Sequence, residues 1–351
     1  MKVFITGGAG FIGSHAAEYY AKQGNDVIIY DNFSRWKLLG RLYGNSDLNF
    51  HFLKHKNVTS IEGDILDTQK LNDHLKGTDL VIHAAAQTAV TASCKDPLTD
   101  FLTNANGTLN VLEAVQQQSK PPIVIFCSTN KVYGENVNRV PLKEKPTRYE
   151  FDGSSFQHGI DETFGVDLCG HSPYGCSKLS ADLYMQDYAR HFNLKVGVFR
   201  LSCIYGPQQF GVEDQGWLAW FAIASYTGRP IVLYGNGKQV RDVLFISDLL
   251  EAFDAFVRQD IIHGVFNLGG GTNNTISLIE SLDLIQKLTG KRSGLRQASW
   301  RPDDQKVYVS DVRKAQTLLG WSPKVSVEEG MARLIEWVRE NESLLSEKLL
   351  L

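Results

Sequence analysis

Apolar and polar positions along the first half of the chain follow two periods in alternation. Short stretches at residues 2–6, 26–30, 58–62, 80–83, 123–127 and 196–200, most of them rich in aliphatic and β-branched residues, read as strands. Between them, apolar residues recur every three or four positions, as at 11–23, 98–118 and 174–191, which read as helices. A run such as Ile123-Val124-Ile125-Phe126 has no polar face, so it suits a parallel strand covered on both sides. Strands and helices in this alternation predict an α/β protein built on a doubly wound parallel sheet.

Beyond Gly206 the alternation loosens. An aromatic-rich stretch at 217–226 reads as a helix, a glycine turn follows at 235–237, and further helical stretches run toward the C-terminus. The organisation expected is a first domain over 1–205 and a smaller α/β substrate domain over 206–345, with 240–265 returning to the first. Residues 134–172 contain no confident element. Connections of that length in compact domains are usually functional lids or ordered flaps. The tail after about Asn341 is expected to fray.

Composition changes the picture little. The chain has 351 residues and a net charge of −3, so there is no whole-chain attraction to nucleic acid or to an anionic membrane surface. Five cysteines, at 94, 127, 169, 176 and 203, are scattered and odd in number. They show no CxxC or Cys/His ligand spacing, so neither a disulfide framework nor a metal site is expected. The chain opens on a strand-like run with no charged leader, and no apolar stretch has spanning length; a cytoplasmic protein is expected.

The first chemical signal is Thr6-Gly7-Gly8-Ala9-Gly10-Phe11-Ile12-Gly13, between the first strand and the first helix. Glycines at this spacing allow a tight turn, close approach to a pyrophosphate and close helix–sheet packing, and the helix N-terminus offers free N–H groups to phosphate. Asp31 ends the second strand, where a carboxylate accepts hydrogen bonds from a ribose diol and repels a 2′-phosphate; this favours NAD over NADP. Asn32, Ser34 and Arg35 follow on the same turn. Asp64-Ile65 offers a carboxylate and an aliphatic wall to an adenine. Ala84-Ala85-Ala86 supplies small side chains where a cofactor passes close to backbone.

The second signal is Tyr174-Gly175-Cys176-Ser177-Lys178. Ser172 is placed to cap a helix and Pro173 to open it, which sets Tyr174 and Lys178 one turn apart on the same face. Ser128-Thr129 ends the fifth strand, and ligands of doubly wound sheets bind outside the carboxyl ends of strands. In this constellation Thr129 binds the reacting oxygen, Tyr174 takes the substrate proton, and Lys178 lowers the phenol pKa and holds a ribose.

Together with Tyr205-Gly206-Pro207, Arg241-Asp242-Val243 and Leu319-Gly320-Trp321-Ser322-Pro323, these residues resemble the extended short-chain dehydrogenase/reductase family of NAD-dependent epimerases and dehydratases. The resemblance covers nearly the whole chain. It implies an N-terminal Rossmann domain holding tightly bound NAD, and a C-terminal domain for a nucleoside-diphosphate sugar. By position, Thr129, Tyr174 and Lys178 match the family's catalytic residues and Gln87 and Asn104 match cofactor-site positions. Arg241 and Arg301 match positions that hold the sugar-nucleotide diphosphate, and guanidinium forks suit a pyrophosphate.

The dehydratases of this family carry Thr-Asp-Glu where this chain has Thr129-Asn130-Lys131, and neither an amide nor an ammonium does a carboxylate's work in eliminating water. Cys203 stands where relatives often carry a substrate-contacting Asn. The strings 128–134, 171–178, 214–217 and 235–243 instead resemble the CDP-paratose 2-epimerase (CDP-tyvelose epimerase) group, which works in dideoxysugar and O-antigen biosynthesis. That implies transient oxidation at C2 of a CDP-linked sugar, with Asn130, Cys203, Gln209 and Gln215 on the substrate side. The alternatives are epimerisation of another nucleotide sugar or at another carbon, such as a UDP-hexose at C4, or an idle NAD-binding relative. By analogy the family implies a homo-oligomer, dimer or tetramer.

Overall fold

The computed structural model describes residues 1–35, 55–301 and 304–346. In chain order the strands are β1 (Lys2–Thr6), β2 (Asp26–Asp31), β3 (Val58–Glu62), β4 (Leu80–His83), β5 (Ile123–Thr129), β6 (Leu142–Glu144), β7 (Tyr149–Phe151) and β8 (Val196–Leu201). They continue as β9 (Cys203–Tyr205), β10 (Ile231–Tyr234), β11 (Val240–Phe245), β12 (His263–Leu268), β13 (Thr275–Ser277), β14 (Leu295–Ala298) and β15 (Val307–Tyr308). Seven of them form one parallel sheet in the order β12-β8-β5-β4-β1-β2-β3. The order reverses between β1 and β4, so a crevice opens there at the carboxyl ends of the strands.

The sheet is apolar on both faces, as its sequence requires. Val3, Ile5, Ile29, Ile82, Ile125 and Phe199 pack with the helices Phe11–Lys22 and Ile246–Arg258 on one side. Phe4, Tyr30, Val81, Val124, Phe126 and Val198 pack with Gly107–Gln116 and Pro173–His191 on the other. Each such side chain taken out of water contributes about 1.5–3 kcal/mol before entropy is counted.

Four features depart from the sequence expectation. Strand β5 runs on to Thr129, because Ser128 and Thr129 still pair with Arg200 and Leu201 of β8. The return to the sheet reaches past residue 265: helix Ile246–Arg258 leads into β12, which pairs with β8. Strand β12 was illegible because Gly264 and Asn267 break its apolar run, and Asn267 is buried only because Tyr133 and Ile160 satisfy its amide. The expected helix over 98–118 is three pieces, an α-turn Pro97–Phe101, a π-helical turn Leu102–Asn106 and the helix Gly107–Gln116. Finally, 342–346 is a short helix with Leu345 buried and its carbonyl accepting from Arg229, rather than a frayed end; the residues after it lie outside those described.

The long segment 134–172 is an ordered flap. It carries the β6–β7 hairpin, and its Val137, Val140 and Ile160 build a small core with Val132, Tyr133 and Tyr308. Around β11, strands β9 and β15 pair parallel and β13 antiparallel. The Leu319-to-Pro323 string is structural: Trp321 Nε1 donates to the Asp248 carbonyl at 2.8 Å, and the Asp248 carboxylate accepts from the N–H groups of Lys324 and Val325. Among the described residues no helix is long and apolar enough to cross a membrane.

Candidate active site

A cleft runs along the carboxyl edge of the sheet, from the glycine turn to Tyr174. Its glycine end fits a dinucleotide for steric reasons. Gly7 has φ +68°, and a Cβ there would stand 2.5 Å from the Ala85 nitrogen; a Cβ on Gly13 would stand 2.2 Å from the Gly7 carbonyl oxygen. Only glycine lets the turn, the Ala84–Ala86 strand end and the helix start come this close. Asp31 Oδ2 accepts from Ala9 N–H at 3.0 Å and Oδ1 from Phe33 N–H at 2.8 Å, which fixes the carboxylate beside the turn. Burial raises its pKa above the ordinary value, against the opposing pull of those two bonds.

Gly10, Phe11, Ile12, Asn32, Ser34, Arg35, Asp64, Ile65, Ala84, Ala85 and Ala86, each expected at the cofactor, all line this cleft. Asn32 Nδ2 donates to Asp64 Oδ2 at 2.8 Å, which locks the second and third strand ends together. Arg35 reaches the Phe210 carbonyl at 3.3 Å, tying this rim to the loop after β9.

At the other end stand Thr129, Tyr174 and Lys178, with Gln209 and Gln215 opposite. The helix Pro173–His191 begins as expected, with Pro173 in its first turn and the Ser172 hydroxyl accepting from Gly175 N–H at 3.2 Å. Tyr174 N–H donates to Ser93 Oγ at 3.1 Å. Sequence reading missed Ser93, because its only signal is tertiary: it sits on the helix Val90–Lys95, far away in the chain. Tyr174 is buried and shares a hydrogen bond with Thr129. Its phenol is pushed up to about 12, by burial first, with Asp100 adding to the rise and the Thr129 bond opposing it.

Among the described hydrogen bonds, none joins Lys178 to the phenol. Its Nζ donates to the Cys127 carbonyl at 2.8 Å and sits 4.1 Å from the centre of the Phe126 ring. Burial brings its pKa down to about 8.

Six predicted site residues are not among those lining the cleft: Gln87, Asn104, Asn130, Cys203, Arg241 and Arg301. Asn104 is buried, and it clips Gln87 by accepting from its N–H at 2.9 Å and donating to its carbonyl at 3.0 Å. Both therefore brace the loop after β4 from behind. Asn130 turns to Gln305, donating at 3.2 Å, and Cys203 Sγ accepts from Trp217 Nε1 at 3.3 Å. Arg241 is paired with Asp304 at 2.7 Å, while Arg301 is paired with Asp214 at 3.0 Å and stacks over the Tyr234 ring. A carboxylate of the chain itself thus meets one nitrogen of each guanidinium. Tyr30, Gly63, Thr88, Ser202, Gln208 and Phe210 line the cleft without having been singled out from sequence. The Thr88 hydroxyl accepts from the Gln215 amide, which ties the loop 208–216 to the loop after β4 at the cleft.

A family model described as GDP-mannose 4,6 dehydratase matches residues 4–334. The chain belongs to this family of NAD-dependent epimerases and dehydratases. Within the family it is 40% identical to CDP-paratose 2-epimerase of Salmonella typhi, over 96% of this chain and 99% of that one. Its fold is similar to that of UDP-glucose 4-epimerase from Thermotoga maritima, solved with UDP-glucose (TM-score 0.81, 29% identity, covering 97% of this chain and 100% of that one). It is also similar to UDP-glucuronic acid 4-epimerase from Bacillus cereus, solved with UDP-glucuronic acid and NAD (TM-score 0.79, 27% identity, 97% and 99% coverage). The Rossmann-type sheet expected from the sequence is the family's own.

Proposed function

We propose that the chain is an NAD-dependent nucleotide-sugar epimerase that interconverts CDP-paratose and CDP-tyvelose at C2. The observation that carries the redox chemistry is the meeting of Thr129, Tyr174 and Lys178 at the far end of a glycine-walled cleft. The choice of sugar and base is supported by the 40% identity to CDP-paratose 2-epimerase over nearly the full length of both chains. Dehydration has no support, since Asn130 and Lys131 stand where an acid and a base are needed, and Asn130 is held by Gln305.

In this reading the glycine turn, Asp31, Asp64 and the Ala84–Ala86 strand end hold NAD, which when bound accepts a hydride from the sugar and returns it later in the same turnover. Thr129 orients the reacting hydroxyl. Tyr174 Oη takes that hydroxyl's proton as C2 loses its hydride, leaving a 2-keto sugar. The sugar turns over, C2 regains hydride on its opposite face, and Tyr174 gives the proton back to the oxygen. Lys178 supplies positive charge beside the phenolate. Residues 206–345 hold the nucleotide sugar, whose diphosphate competes with Asp304 and Asp214 for Arg241 and Arg301.

Incubation with CDP-paratose and with CDP-tyvelose, without added nicotinamide, is expected to give the same mixture from both sides by NMR. No interconversion by protein with intact bound NAD would end this reading. Turnover of a UDP-, GDP- or dTDP-sugar alone would move it to another substrate. We also propose a homo-oligomer in the cytoplasm. Leu98, Phe101, Leu102, Leu183 and Tyr184 are exposed on the contacting helical segments 97–106 and 173–191. Light scattering should give a multiple of the chain mass of 39.2 kDa, and Leu183→Glu should shift it toward one chain. A wild-type monomer at micromolar concentration would refute the assembly.

A further inference from the structure

Behind the Tyr174–Lys178 turn lies a carboxylate that the proposed mechanism does not use. Asp100, from the short helix Pro97–Phe101, is 1% exposed. Its Oδ2 accepts from the Ser177 hydroxyl at 2.5 Å, and its Oδ1 accepts from Gln87 Nε2 at 2.7 Å and from Asn104 Nδ2 at 3.2 Å. Asn104 Nδ2 also lies 3.1 Å from Ser177 Oγ and 3.0 Å from the Gln87 carbonyl. The π-helical turn Leu102–Asn106 brings Asn104 into this cluster. Three elements are thereby joined through one acid: the first turn of the Tyr174 helix, the π-turn, and the loop that follows Ala84–Ala86.

Ser177, Gln87 and Asn104 are all neutral donors, and among the described residues no ion pair involves Asp100. The buried cation one residue beyond Ser177 is Lys178, 2% exposed. The groups facing Lys178 are few. On its own helix stand Tyr174 and Asp182; from β5 come Cys127 and the Phe126 ring; from β4 comes His83; from the segment 97–101 comes Asp100. Burial holds the Cys127 thiol up at about 12 and pushes His83 down to about 3, so both are uncharged at neutral pH. Asp182 is already engaged by Arg200 through two bonds of 3.0 Å. Asp182 and then Asp100 are the carboxylates that favour the ammonium; Asp182 also answers Arg200, whereas Asp100 has no other cation paired with it among the described residues.

We propose that Asp100 is a positioning residue, a buried carboxylate that ties the Tyr174–Lys178 turn to the floor of the cofactor cleft and serves as the counter-charge of Lys178. The proposal rests on the redox reading of that turn, and its test separates the two. With the protein as purified, Asp100→Asn keeps the shape and removes the charge. At pH 7 it should lower Tm by about 5 °C. The gap should close as pH rises past the Lys178 pKa of about 8, because a neutral amine needs no counter-charge. In a Lys178→Met background Asp100→Asn should move Tm little at any pH.

In turnover, Asp100→Asn should lower kcat about tenfold with KM little changed, and move the alkaline limb of the kcat profile down by about one pH unit. Ser177→Ala, which cuts one tie and keeps the charge, should lower kcat and leave the limb in place. A Tm gap that is constant from pH 6 to 10, and that persists unchanged in the Lys178→Met background, would overturn the proposal by making Asp100 a structural acid only. Should Asp100→Asn fail to fold alone, its recovery with Lys178→Met supports the counter-charge, and failure of that double variant overturns it. A wild-type protein that turns over no nucleotide sugar ends the functional reading instead, and the melting comparison still decides the role of Asp100.

Discussion

Replacing Tyr174 by Phe is expected to cut kcat about 10²–10⁴-fold, the range for losing a positioned general acid–base group. The ring fills the same space, so the fold and the bound cofactor should survive. In the proposed reaction the phenol oxygen, which shares a hydrogen bond with Thr129, receives the substrate proton as the carbon is oxidised. The effect carries a pH signature. Burial holds the phenol up near 12 in the chain by itself, so the ionised form is scarce at neutral pH, and wild-type kcat should rise with pH on the acid side. Residual activity of Tyr174→Phe should lack that rise. Rates followed by NMR from pH 5.5 to 9 test both points. A variant within tenfold of wild type, with the acid limb intact, would remove Tyr174 from the chemistry.

Asp182→Ala is expected to destabilise the protein by about 3–5 kcal/mol, the cost of leaving a buried charge without its partner. Asp182 has no exposed surface and Arg200 is 4% exposed. Arg200 donates to both carboxylate oxygens at 3.0 Å, Ser128 Oγ donates at 2.6 Å, and Gln186 Nε2 donates at 2.6 Å. The far side of Arg200 reaches Tyr133 Oη at 3.1 Å, and Tyr133 in turn donates to Asn267 on β12. The network therefore fixes the end of β5, one residue before Thr129, to the helix that carries Lys178. Urea denaturation should show a lower midpoint with an unchanged slope. Asp182→Leu combined with Arg200→Met should recover much of the loss, since an apolar pair of similar volume needs no charge partner. A loss below about 1 kcal/mol in Asp182→Ala would mean that water reaches Arg200 and the site is not sealed.

Much of the fold was legible because its causes are local. Aliphatic runs buried on both faces located β1, β2, β4, β5 and β8 to within two residues; β3, at the sheet edge with Thr59, Ser60 and Glu62 exposed, was found from its place in the alternation. The glycine turn, the Asp31 strand end, Ser172 as a cap and Pro173 in the first turn depend on backbone geometry that neighbours in sequence dictate. The fingerprints of a dinucleotide cleft and of Tyr174 one turn from Lys178 followed directly.

What the sequence determined was therefore the sheet, the cleft and the residues facing it along single elements. What only the tertiary structure decided was who partners whom across elements. Lys178 was expected to lower the phenol pKa and hold a ribose; the fold adds that its Nζ donates to the Cys127 carbonyl. Arg241 and Arg301 were expected to hold a diphosphate; the fold adds that Asp304 and Asp214 pair with them. Asn104 was expected at the cofactor, yet a π-turn carries it behind the wall to Gln87, Ser177 and Asp100. Periodicity records which face of an element is buried. It does not record which polar groups from distant parts of the chain share that burial, and in a low-dielectric interior those pairings set the charge and the geometry of the site.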